Sequence, residues 1–338
     1  MRSVSMFNSF KTIKSMMLPT LAFLAATCAA FGQLTGPVLG YLPDGSSLRA
    51  INGIPAASSV GPAVTADINL GLLQVAPNQP FALATAYGSG AALLVMPSAG
   101  GASLQLVPVN GAAAGATKIV FSPNGTAAGL WFSATGHLQI LTGLTSAVAV
   151  VDIDASSLGG DPGALAVSDD GQWAVGSWAA KIYTLGVSAQ PAVLPVQGPA
   201  EALNFLHASD TAAIITATEV VTVAGIGSVP APTVVWSLPA GASPSPNAPV
   251  AVGIAATADN SVLAIAANTG ALFTLNLATG AGTPADCGCQ PVGLFGLGGA
   301  DFRLTGIGTG PLKLFDASSN DVWFVPLAAA PSVAGGQQ

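Results

Sequence analysis

Residues 163–185 read GALAVSDDGQWAVGSWAAKIYTL, and this stretch constrains the fold more than any other in the chain. An apolar run, 164–167, leads into Ser168-Asp169-Asp170-Gly171. There the Asp side chains bond nearby backbone N–H groups and Gly takes a positive φ, which makes a tight turn. Residues 173–178 predict a second strand, bounded by two tryptophans. Residues 181–185 mix polar and apolar positions, as a half-exposed third strand does. Residues 192–196, with Pro195, suit an outer edge strand. A sheet this small cannot cover both of its faces, so copies of it must stack face to face.

Such copies are present. Ser122-Pro123-Asn124-Gly125 separates the runs 118–121 and 128–132, with 137–141 following. Ala76-Pro77-Asn78-Gln79 separates 72–75 from 81–85. His207-Ala208-Ser209-Asp210 and Thr257-Ala258-Asp259-Asn260 hold the same place in later copies. The spacing is about 40–50 residues, the blade length of a β-propeller. The expected fold is therefore all-β, a β-propeller of four-stranded antiparallel blades, seven by preference with six as the alternative. Six full units occupy residues 70–327. An extra hairpin, 36–42 with 48–51, resembles the last two strands of a blade, and 53–66 reads as irregular.

The strand–turn–strand unit resembles the repeats of bacterial TolB-like and YVTN-like (WD40-like) β-propellers, whose usual turn is Ser-Pro-Asp-Gly. The turns at Ser122-Pro123-Asn124-Gly125 and Ser168-Asp169-Asp170-Gly171 carry the likeness best, and it covers most of the chain after about residue 36. It implies an architecture and no activity, because such propellers differ widely in function.

Composition agrees. Of 338 residues, 51% are hydrophobic and 7% charged, while 41 glycines and 25 prolines punctuate the strands. Arg2, Lys11 and Lys14 precede an apolar run, 16–26, and an Ala30-Phe31-Gly32 site, the pattern of a secretory signal peptide. The expected organisation is a leader at 1–32, one propeller domain at 33–327 and a tail at 328–338, exported to the periplasm or beyond the cell. Cys28 offers a lipoprotein alternative, weakened by Thr27 where Gly or Ala is expected. No later apolar run is long enough to span a membrane as a helix. Losing the three leader cations takes the net charge from −7 to −10. With no basic stripe, the chain lacks the means to displace counterions from nucleic acid.

Candidate chemistry is sparse. Cys287-Gly288-Cys289 suggests a local disulfide in an oxidising compartment. His137 and His207 lie in different units, and each is expected to bond a backbone group. Asp152, Asp154 and Asp161 fall short of a calcium loop, with Ser157 where a glycine is needed and no closing Glu. Asp152, Asp170 and Glu201 are the carboxylates an enzyme reading would place in the channel. The five tryptophans read as packing between blades. These residues point to a binding or scaffold module without metal or cofactor, working as a monomer. It would engage a protein or small molecule at the propeller face, with a structural envelope protein or a hydrolase or lyase as alternatives.

Overall fold

The structure, a computed structural model, describes residues 36–98, 101–237, 249–308 and 311–326. The expected leader with Cys28, most of the loop 239–249 and the tail 328–338 lie outside the described residues. All strands belong to the compact unit Val38–Gln338. Among the described residues they form seven antiparallel sheets, six of four strands and one of three.

Blade 1 holds β1 (Val38–Asp44), β2 (Ser47–Ile54) and β3 (Ala57–Thr65). Blade 2 holds β4 (Leu70–Val75), β5 (Ala82–Ala86), β6 (Ala92–Pro97) and β7 (Leu104–Pro108). Blade 3 consists of β8 (Lys118–Phe121), β9 (Ala127–Phe132), β10 (His137–Thr142) and β11 (Ala149–Asp154). Blade 4 is β12 (Ala164–Val167), β13 (Trp173–Trp178), β14 (Lys181–Gly186) and β15 (Ala189–Val193). Blade 5 is β16 (Ala202–Phe205), β17 (Ala212–Ile215), β18 (Glu219–Ala224) and β19 (Ala231–Ser237). Blade 6 is β20 (Ala251–Ala256), β21 (Val262–Ala267), β22 (Ala271–Asn276) and β23 (Gly282–Asp286). Blade 7 closes the chain with β24 (Phe295–Gly298), β25 (Asp301–Arg303), β26 (Leu312–Asp316) and β27 (Asp321–Val325).

Burial explains the strand patterns. Every residue of β9 is buried, and β13 is buried after Trp173, whereas β15 and β23 are almost wholly exposed. A second strand is covered on both faces by neighbouring blades, so it reads as an unbroken apolar run instead of alternating. Each apolar cluster joins two successive blades. Leu83 meets Leu130 between blades 2 and 3, and Trp131 meets Trp178 between 3 and 4. Ile182 meets Phe205, Ile215 meets Leu263, and Leu272 meets Phe302 at the next three interfaces. Leu314 packs with Ile51, and Leu48 with Leu93, so blade 1 is gripped on both sides. Seven blades with seven interfaces make a closed ring.

Blade 1 settles the question of the extra hairpin. The stretch read as irregular carries β3, hidden from pattern reading by Ala57, Ser58, Ser59, Gly61 and Pro62. Ser46, in the β1–β2 turn, accepts the N–H of Ala66 at its carbonyl (3.0 Å) and that of Leu70 at its hydroxyl (2.9 Å). This turn therefore sits beside the start of β4, and β1 runs opposite to β4. The three strands of blade 1 have the directions of second, third and fourth strands, so the hairpin β1–β2 is not the closing pair of a blade as expected; β3 lies outside it. Val60 donates its N–H to the carbonyl of Pro326 (3.1 Å), tying β3 to the residue after β27.

Candidate functional site

The inner strands surround a central cavity of about 880 Å³. Its two ends differ. At one, the turns after β4, β8, β12, β16, β20 and β24 converge. Asp169 accepts the backbone N–H of Asn124 (2.7 Å), its side-chain amide (2.8 Å) and the N–H of Ala208 (2.8 Å). Gln79 donates to the carbonyl of Asn124 (3.1 Å). His207 reaches past blade 4, with Nδ1 2.7 Å from Oδ1 of Asn124 and Nε2 3.1 Å from the carbonyl of Ala256. Asn260 exchanges two bonds with the backbone of His207 (2.8 and 2.9 Å), and Ala258 donates to Gly299 (2.8 Å). This belt links blades 2 to 7. Glycine is required within it. Gly125 has φ +67°, and a Cβ there would stand 2.4 Å from the carbonyl oxygen of Pro77 in the adjacent blade. Sequence reading identified these turn residues; it did not show that they bond one another across blades.

The other end carries the starts of the inner strands, the turns between second and third strands, and the links between blades. Lys118 donates Nζ to the carbonyl of Pro162 (2.8 Å), and burial lowers its pKa, with Asp161 opposing that shift. Glu201 accepts the N–H of Ala251 (2.8 Å). Arg303 is 4% exposed. Its Nη1 donates to the carbonyl of Thr305 (2.8 Å), and its Cζ lies 4.0 Å above the ring of Phe295. Burial lowers its pKa to about 10, which leaves it charged at neutral pH. Lys118, Glu201, Phe295 and Arg303 all line the cavity. At this end of the propeller Ile68, Tyr87, Val250 and Val292 remain exposed, Tyr87 at 77%, and Val292 also lines the cavity.

Of the three acids expected in the channel, only Glu201 lines it. Asp152 lies on outer strand β11 and accepts from His137 (2.6 Å) instead of facing the cavity. Asp170 is a turn residue that accepts from Ser168 Oγ (2.6 Å) and the N–H of Gln172 (3.0 Å). The three do not meet. Asp154 holds Ser156, and Asp161 accepts the indole N–H of Trp131 (2.7 Å), so the acids of 152–161 point to separate tasks. His207 bonds a backbone carbonyl as expected, whereas His137 bonds a carboxylate. Cys287 and Cys289 are joined through their sulfurs (2.01 Å), with Cys287 buried between blades 6 and 7. Trp131 and Trp178 meet edge to face at 5.7 Å in the interior, as packing residues do.

Sequence reading missed Asp301 and Arg303. Asp301 also lines the cavity, and burial, then the charge of Asp316, raises its pKa to about 6. The available signal was the spacing of two opposite charges, two apart on a strand, in a chain so poor in charge.

No protein-family model and no curated protein matches the chain. Solved structures do. A functionally unknown protein from Desulfotomaculum acetoxidans aligns over 85% of this chain and 94% of its own, with 11% identity and a TM-score of 0.56. Saccharomyces cerevisiae Sqt1 aligns over 87% and 86%, with 12% identity and a TM-score of 0.53. The β-propeller domain of Myceliophteria thermophila Cps50 (Swd1) matches at 15% identity with a TM-score of 0.44, over 60% of this chain and 65% of that domain. The chain thus spans about two thirds of that last domain's length. The two longer matches show the fold alone, that of a WD40-like β-propeller.

Proposed function

We propose that the chain is an exported binding module that takes a protein partner at the open mouth of its channel. The observation that carries this reading is the difference between the two ends. At one end the turns are bound to one another by hydrogen bonds across blades. The other carries the exposed side chains of Tyr87, Ile68, Val250 and Val292, with Val292, Lys118 and Glu201 lining the cavity. Exposed apolar surface bordered by polar groups marks interaction surfaces. Propellers also bring loops of several blades to one point, which suits recognition of a protein surface. The basic and then apolar leader, together with a Cys pair joined by a short link, supports the proposal of export.

Capture from a native extract tests the reading. The wild-type chain is expected to retain a partner that Tyr87→Glu and Val292→Glu lose. Val229→Glu, in the β18–β19 turn on the opposite face, is expected to keep it. Loss with Val229→Glu and retention with the other two would overturn the proposed face.

A further inference from the structure

Arg303 is a buried cation without a counter-charge among the described residues. Among the described residues the ion pairs are Arg49 with Asp44 and His137 with Asp152 and Asp154. Arg303 takes part in none of them. Its Nη1 is satisfied by the carbonyl of Thr305, but its Nε meets no acceptor. Asp301 lies two residues away on the same face of β25, yet makes no ion pair with it; the charge that acts on Asp301 is that of Asp316. Phe295 supplies only the face of its ring. Buried charges in folded proteins are paired or bound to a ligand, because the loss of hydration is otherwise uncompensated. A guanidinium suits one class of partner above others: its planar fork matches the two oxygens of a carboxylate.

Position favours a ligand from outside. Register pairs Phe295 with Arg303 at the start of β24, the end farthest from the Gly298-Gly299 turn and hence nearest the open mouth. Phe302, on the other face of β25, packs toward blade 6, which turns Arg303 toward blade 1. There β1 runs against the direction of the other inner strands, and Val38, Leu39 and Tyr41 line the cavity with Phe295 and Arg303. The space, about 880 Å³, lies within the range of small-molecule sites.

We infer that the channel binds a small carboxylic acid, its carboxylate held by Arg303 over the Phe295 ring between blades 7 and 1. The acid enters by the open mouth and supplies the counter-charge that the described residues do not. This site is separate from the partner face on the rim, and it stands whether or not a protein binds there.

Acetate is the probe, with chloride at matched ionic strength as the control. The Nε–H resonance of Arg303 in the purified full chain is followed by heteronuclear NMR, assigned by its loss in Arg303→Met or, if that variant does not fold, by Phe295→Leu perturbation. Acetate is expected to shift this signal saturably, and chloride to leave it in place. Thermal unfolding gives a second readout. Acetate at about ten times its dissociation constant should raise the wild-type midpoint by about 2–4 °C. A folded Arg303→Met should show no such rise. An unmoved signal in acetate, an equal response to chloride, or a full acetate response in Arg303→Met would each overturn the assignment.

Discussion

The carboxylate of Asp169 grips Asn124 twice, taking its backbone N–H at 2.7 Å and its side-chain amide at 2.8 Å across the boundary between blades 4 and 3. Its neighbour Asp170 bonds only within its own turn. The two residues look interchangeable in the sequence and do different work. One locks blades together, and the other shapes a local bend.

Removing them should therefore differ in cost. Asp169→Ala strands two backbone N–H groups and one amide, and bonds to a charged acceptor are worth more than neutral ones, so a loss of about 2–3 kcal/mol is expected. Asp170→Ala removes a turn contact and should cost about 1 kcal/mol. Urea unfolding midpoints of the two variants decide the matter; equal losses would mean that the belt does not stabilise the ring.

Gly125→Ala should cost about 2–4 kcal/mol, since it combines a positive φ with a Cβ 2.4 Å from the Pro77 carbonyl. Gly45→Ala is the control. It shares a positive φ, +58°, but a Cβ there meets nothing within 4 Å. Its loss in thermal stability should be clearly smaller.

Much of the fold was legible because blade geometry is written locally. The turn Ser168-Asp169-Asp170-Gly171 and the doubly buried strand after it recur at a spacing of about 40–50 residues, and each carries its own physical reason. Blade 1 was harder to read. β3 is built of small residues and Pro62, so neither alternation nor an apolar run betrays it. The channel's charges were harder still. Asp301 and Arg303 sit on a three-residue strand, and their meaning depends on which blade faces them. Residues that bond across blades, such as His207 with Asn124, lie 83 positions apart, and no local pattern connects them.

The carboxyl of Asp301 is raised to about 6 by burial and by Asp316. An acid whose folded pKa lies above its unfolded value favours the native state at low pH. That contribution is complete below the unfolded value near 3.8 and fades as pH rises through about 6. Asp301→Asn should therefore match wild type near the low end of this window and exceed its thermal midpoint at neutral pH. A wild-type midpoint above that of Asp301→Asn at neutral pH would show that the ionised carboxylate is stabilised after all.

His137 is raised above its ordinary pKa, first by its bond to Asp152 and then by the charges of Asp152 and Asp154. Its ring titration by NMR should have a midpoint above 6.5, falling toward that value in Asp152→Asn. The stabilisation from this pair is present while the ring is protonated and disappears as pH rises through the folded midpoint. An unchanged midpoint in Asp152→Asn would assign the shift to something else.

The most direct test of a molecule that takes its partner at one face, and not at the face where its turns bond one another, is site-specific photo-cross-linking in the native host. A photoreactive phenylalanine analogue replaces Tyr87 at the open mouth or Val229 on the belt side, both exposed positions. The account predicts a discrete protein adduct from position 87 and none from position 229. An adduct formed at 229 and absent at 87 would contradict it.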